Sequence, residues 1–156
     1  MGRIEHINNP DAPPPNSIVP ATTVFVTDDQ KRVLLIQRSD NGLWALPGGG
    51  QDFGESISQA AIRETREEAG IDVIVTGLVG IYTDPHHLVE YSDGEVRQQF
   101  SICFRAQQTG GSLTRSDESI DVRWVDRSDL ESLSINPSMR LRVNHGFANR
   151  AEPYIG

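Results

Sequence analysis

The chain has 156 residues, the length of one domain and enough for a single substantial core. It is 37% hydrophobic and 23% charged with a net charge of −8, which argues against a surface that coats nucleic acid, since that needs clustered Lys and Arg. No apolar run approaches the roughly 18 residues of a membrane span, so membrane and nucleic-acid partners are not expected.

Acidity still leaves room for a small phosphate-bearing ligand, provided carboxylates converge so that divalent cations stand between the two sets of negative charge. The start, Met1-Gly2-Arg3-Ile4-Glu5-His6, lacks the apolar segment of a signal peptide, and the lone Cys103 excludes an internal disulfide. Both predict a cytoplasmic protein in which Cys103, inside Phe100-Ser101-Ile102-Cys103-Phe104, is an inert packed thiol.

Residues 1–17, with Pro10, Pro13, Pro14 and Pro15, predict an extended tail ahead of one domain over 18–156. Residues 18–27 turn β-branched and apolar, a strand, and Asp28-Asp29-Gln30-Lys31 predicts a hairpin connection to a second strand over 33–38. Leu43-Trp44-Ala45-Leu46 leads into Pro47-Gly48-Gly49-Gly50, which predicts a loop. Ser56 with Gln59 three residues on is a capping-box pattern that starts a helix, and Gly70 is its stop. Strands are predicted over 72–82 and 96–106, around a polar loop containing Asp84, His86, His87 and Gly94. Gly110-Gly111 reads as a turn, 120–125 as a strand and 137–147 as a closing helix. Helices separated by groups of strands predict an α/β fold, a mixed sheet covered on both faces.

The informative stretch is 49–71. At about 100° per residue, Glu64, Glu67 and Glu68 project within one sector of the helix, beside a buried face of Ala61, Ile62, Thr65 and Ala69. Gathering like charges costs free energy. Arg63, four residues before Glu67, offsets part of it, and a hard dication coordinated by carboxylate oxygens offsets more. Glu55 can reach the same ion or support the cluster from the loop, and the preceding glycines let backbone approach a ligand closely.

These residues resemble the Nudix box: Gly, five residues, Glu, seven residues, then Arg-Glu-apolar-any-Glu-Glu-any-Gly-apolar. Gly49, Glu55, Arg63, Glu64, Glu67, Glu68 and Gly70 occupy its fixed positions. Chance agreement is on the order of one in 10⁸. Thr65 stands where an apolar residue is usual, and its methyl can still pack on the buried face. Leu43 to Gly49 before the box, and Glu118 with Val122-Arg123-Trp124-Val125 after it, resemble the family as well.

The resemblance implies a Nudix-type α/β/α sandwich with a central mixed β-sheet. It also implies a hydrolase that uses Mg²⁺, or Mn²⁺ in its place, to direct water at phosphorus. Carried onto this sequence, Glu64, Glu67 and Glu68 are metal ligands, Glu55 is an accessory ligand and Gly48 or Gly49 offers a backbone carbonyl. Arg63 holds a carboxylate. The general base is Glu68 or Glu118. Arg38 is a candidate phosphate grip, with a surface ion pair as the alternative, and Tyr82 a candidate to stack on a base. His86-His87 is expected to be a plain loop pair, and Trp44 and Trp124 packing residues.

The expected substrate is a small nucleotide, a nucleoside diphosphate linked to another group. Pro85 leans this towards an ADP-ribose-like molecule. The alternatives are a nucleoside triphosphate pyrophosphohydrolase and a silent nucleotide-sensing module, the latter disfavoured because every box carboxylate is present. Homodimers are frequent in families of this kind.

Overall fold

The computed structural model describes residues 2–156. Among these, the strands in chain order are β1 (Arg3–Ile7), β2 (Ser17–Ile18), β3 (Ala21–Val26), β4 (Val33–Arg38), β5 (Trp44–Ala45) and β6 (Gly48–Gly50). Helix α1 (Ile57–Ala69) is followed by β7 (Ile71–Tyr82), β8 (His87–Tyr91), β9 (Val96–Gln98), β10 (Ser101–Gly111) and β11 (Ser119–Val125). A 3₁₀ turn over Arg127–Ser132, helix α2 (Pro137–Ala148) and β12 (Tyr154–Ile155) close the chain.

Five strands form a mixed sheet in the order β12-β7-β10-β3-β6, with β10 parallel to β3 and antiparallel to β7. Alternation along β3 and β4 sends side chains to opposite faces. Val24, Val26, Leu34 and Ile36 pack with Ala61 and Ala69 of α1. Phe25, Val33 and Leu35 pack on the other side with Val143 of α2. This is the sandwich that the element pattern predicts.

Helix α1 forms as its sequence requires. The Ser56 hydroxyl accepts from Gln59 N at 3.2 Å while the Gln59 side chain accepts from Ser56 N at 2.8 Å. At the other end Gly70 takes a left-handed φ of 78° and its N–H donates to Arg66 O. Thr65 is fully buried, and its hydroxyl donates to Ala61 O at 2.8 Å, so this side chain brings no stranded polar group into the core. Asn136 caps α2 by accepting from Met139 N, with Pro137 at the first helical position.

Four expectations need correction. Residues 1–17 are not a free tail, because β1 pairs antiparallel with β8 and the prolines lie only in the connection that follows. The region around His86 and His87 is not a plain loop: β8 begins at His87 and makes a hairpin with β9, which belongs to a different sheet from β10. Gly48–Gly50 is an edge strand, paired antiparallel with Ala21 to Thr23. Gly110 and Gly111 end β10 opposite Asp72 and Ile71 instead of turning the chain. In each case long-range pairing sets the backbone where local composition pointed elsewhere.

Candidate active site

The acidic sector of α1 lies against β6. Arg63 is its hub, 26% exposed. Its Nε and Nη2 donate to the two oxygens of Glu55 at 3.0 and 2.7 Å. Nη1 donates to Glu64 at 2.9 Å and Glu67 at 3.2 Å, and Nη2 also donates to Gly50 O at 3.0 Å. One guanidinium therefore ties four groups of the box together, which its planar fork of donors allows and a lysine would not. The Arg63 bonds, with a bond from Asp52 N, hold the Glu55 carboxyl down to about 2.

Glu68 is the buried member, 6% exposed, and accepts weakly from Gly48 N at 3.4 Å. Burial, then the charge of Glu64, pushes its carboxyl up to about 9, and the protonated group donates to Glu64. Burial raises Glu64 as well, against the pull of Arg63. Glu67 points outward, its side chain 59% exposed. Among the described residues no three acidic, His or Cys groups stand ready as a metal cage. The structure brings together Glu64 and Glu68 and leaves Glu67 on Arg63.

This donor set fits a hard divalent cation. Two desolvated carboxyls face each other, and of the cations beside them only Arg63 Nη1 reaches the pair, at 2.9 Å from Glu64; the rest of Arg63 is bound to Glu55 and Gly50, and Arg38 to Asp40 through bonds of 3.0 and 2.8 Å. Gly49 completes the fit, since a Cβ there would collide with the Glu64 carboxylate. Only a glycine lets that carboxylate lie on the backbone.

A cleft of about 140 Å³ opens beside Gly48 and Gly49 on the α2 face of the sheet. Arg38 lines it and feels the charges of both Glu68 and Glu5, so it stands between the acidic pair and the cleft. Glu118 is exposed, and its carbonyl accepts from Ser39 N and Oγ, each at 3.0 Å. Its backbone is thus fixed next to Arg38, outside the Glu64–Glu68 pair. Tyr82 departs from expectation. It is buried, its hydroxyl lies 2.8 Å from His145 Nδ1, and its ring is taken up by Tyr154, His145 and Arg142, leaving no face for a base. Cys103 is fully buried and burial raises its thiol to about 11, in keeping with a packed, unreactive group.

Sequence reading missed the far wall of the cleft. Glu5 of β1 lies 2.6 Å from His87 Nε2 and accepts from Asn136 at 3.1 Å. Burial alone would raise its carboxyl, but His87, Arg3 and Arg142 outweigh that and hold it below its ordinary value. Arg142, 2% exposed, lines the same cleft. The residues come from the two ends of the chain and β8, and nothing local marks them.

The sequence and the fold are similar to those of known proteins. An uncharacterized Nudix hydrolase of Bacillus subtilis is 36% identical over 115 residues, 73% of this chain and 69% of that one. An ADP-ribose pyrophosphatase of Methanocaldococcus jannaschii is 31% identical over 71% of this chain and 64% of its own length. The crystal structure of a Nudix hydrolase from Nitrosomonas europaea superposes with a TM-score of 0.71 at 21% identity, covering 90% of this chain and 78% of that one. The model of the NUDIX domain matches residues 18–143, and the chain belongs to the Nudix hydrolase family.

Proposed function

We propose that the chain hydrolyses a phosphoanhydride bond in a nucleoside diphosphate linked to another group, using Mg²⁺, with Mn²⁺ able to replace it. The observation that carries this reading is the pair of buried Glu68 and half-buried Glu64 lying on a glycine strand at the end of an arginine-lined cleft. Glu64, Glu67 and Glu68 would hold the ion, with Glu55 in support and the Gly49 backbone within reach. When bound, the cation supplies positive charge to the non-bridging phosphate oxygens and acidity to a water nucleophile.

The residues of the chain do the rest. Arg63 keeps Glu55 and Glu64 in register, and Arg38 offers its guanidinium to a phosphate at the boundary of cleft and acidic pair. The proton of the attacking water goes to Glu118 or Glu68. Glu118 sits on a loop fixed beside Arg38, and its exposed carboxylate is free to turn towards a bound substrate. Pro85, which pointed to an ADP-ribose-like substrate, lines a separate groove with Asn8 and Pro13 to Pro15, so the choice of substrate falls to the cleft.

The test is a panel of nucleoside diphosphate conjugates and nucleoside triphosphates incubated with Mg²⁺. Nucleoside monophosphate and a phosphorylated second product from the conjugates are expected. Absence of turnover of every member, with either metal, refutes the proposal.

A further inference from the structure

The hydrogen-bonding capacity of the cleft is lopsided. Three buried polar atoms in the described residues lack a hydrogen-bond partner, Arg142 Nε, Arg3 Nε and Thr23 Oγ1, and all three residues line this one cleft. The two guanidinium nitrogens can only donate. Arg142 is held in place from outside the cleft, with Nη1 donating to Ser138 Oγ at 2.8 Å and its guanidinium 4.6 Å over the Tyr82 ring. Arg3 Nε is 3.7 Å from Asp40 Oδ2, beyond hydrogen-bond distance. Thr23 Oγ1 lies beside the Cys103 thiol, a weak partner, and makes no hydrogen bond of ordinary length.

The carboxylate of the cleft is in the opposite state. Both oxygens of Glu5 are engaged, one by His87 and one by Asn136. The other walls combine Trp44, Leu46 and Met139 with the polar side chains of Arg38, Asn41, Gln99 and Ser101, of which Arg38 can only donate and Asn41 Oδ1 already accepts from Leu43 N at 2.9 Å. A slot with Trp44 in its wall, three spare donors and its one carboxylate committed complements a planar ring whose edge carries acceptors. Purines differ in this respect. The O6/N7 edge of a 6-keto purine presents two acceptors, whereas adenine puts an N–H donor at the 6-position, against the donors of the cleft.

We propose that this cleft seats the nucleobase of the substrate and selects a 6-keto purine over a 6-amino purine, with Arg142, Thr23 and Arg3 reading the acceptor edge. The inference rests on reading the chain as a nucleotide hydrolase. It also gives β1 a function. Residues 3–7 lie outside the matched 18–143, yet they bring Arg3 to the cleft along with Glu5, whose charge faces Arg142. An unpartnered buried donor weakens the free protein, so such donors are expected where a ligand supplies the missing acceptor.

Inosine and adenosine monophosphates differ only at the 6-position and its neighbouring proton, which makes them the matched probes. Titration calorimetry of the full chain without metal should show inosine monophosphate bound at least about tenfold more tightly than adenosine monophosphate. In Thr23→Val the ratio should shrink to within about threefold. The variant should melt no lower than wild type, because the hydroxyl it removes has no partner. Arg3→Gln, at a partly exposed position, should narrow the ratio too. Adenosine monophosphate bound as tightly as inosine monophosphate overturns the proposal, as does a ratio unmoved in both folded variants. Hydrolysis of the matching conjugates is measured in parallel. If neither is turned over, the hydrolase reading fails, while the binding ratio still judges the cleft.

Discussion

Replacing Glu68 with Gln separates the stability of this site from its chemistry. In the metal-free protein Glu68 is 6% exposed with its carboxyl raised to about 9, against an ordinary value of 4.5 in the unfolded chain. Between those values the folded state keeps a proton that the unfolded state has lost. Stability therefore falls as pH rises through this window, at up to about 1.4 kcal/mol per pH unit. By about pH 7.5 the full linkage amounts to roughly 4 kcal/mol, an upper bound because Glu64 shares the proton and relaxes with it. Glutamine has the shape of the protonated carboxyl, can donate to Glu64 in its place and does not titrate.

Glu68→Gln should accordingly stabilise the metal-free protein by about 1–3 kcal/mol near pH 7.5, a rise of roughly 2–12 °C in Tm for a domain of this size. Near pH 5 the two proteins should melt almost together. Added Mg²⁺ should raise the melting temperature of wild type, since a ligand of the native state stabilises by mass action, and should do little for the variant. The assay is thermal unfolding of both proteins from about pH 5 to 8.5, with and without Mg²⁺. A variant that is less stable than metal-free wild type at the alkaline end, or a gap that does not widen with pH, refutes the reasoning.

Turnover should fall at least about 10²-fold in both Glu67→Gln and Glu68→Gln with the fold intact by circular dichroism, and near-normal rates at saturating Mg²⁺ would remove these carboxylates from the site. Gly49→Ala should weaken Mg²⁺ binding by at least about tenfold, because the new methyl displaces the Glu64 carboxylate; calorimetric affinity equal to wild type would show the close approach to be unimportant. If Glu118 is the base, Glu118→Gln should lower kcat strongly with the Mg²⁺ dependence nearly unchanged, and Asp117→Asn should be mild; rates of Glu118→Gln within about twofold of wild type would pass the role to Glu68. Glu5, held below its ordinary value by His87 and the nearby arginines, contributes stability that is present above the unfolded carboxyl range and lost as pH falls through its folded value. Urea midpoints of wild type and Glu5→Gln should therefore converge as acid is added, and parallel curves would show that the carboxylate is not stabilised in the fold.

What the sequence made legible is what neighbours in the chain decide. Ser56, Gln59 and Gly70 fix both ends of α1 within one helix, and the 3.6-residue period alone gathers Glu64, Glu67 and Glu68 on one side. The same period could not say that Glu67 would stay with Arg63 in the metal-free fold while Glu68 is buried, because burial depends on where β6 passes. β6 itself was hidden: glycines have no strand propensity, and only pairing with Ala21 to Thr23 extends them. The wall of the cleft was hidden more deeply. Glu5 and His87 are 82 residues apart, in a segment whose prolines suggested a tail. Tyr82 misled for the opposite reason, since a strand aromatic reads the same whether its ring is offered to a ligand or spent in the core.

If the cleft seats the base and the acidic pair the cation, as proposed, Gly48 and Gly49 account for how the two can act on one molecule. The acidic pair belongs to α1 and the donor-lined cleft to the α2 face, and the edge strand β6 touches both, its Gly49 against Glu64 and its Gly48 and Gly49 in the lining of the cleft. Gly48 and Gly49 are not among the residues with left-handed φ, so they are not needed for a turn. They are needed because of what lies against them: a Cβ on Gly48 would strike the Thr22 carbonyl, and one on Gly49 the Glu64 carboxylate. At these two positions the strand presents only backbone, with Glu64 lying against Gly49 and the cleft opening beside both. A ligand whose ring lies in the cleft has only to cross that edge for its phosphates to meet the carboxylates, with Arg38 at the crossing. A single methyl there would push the Glu64 carboxylate off the strand, which is a packing reason for glycine at position 49 and not one of flexibility.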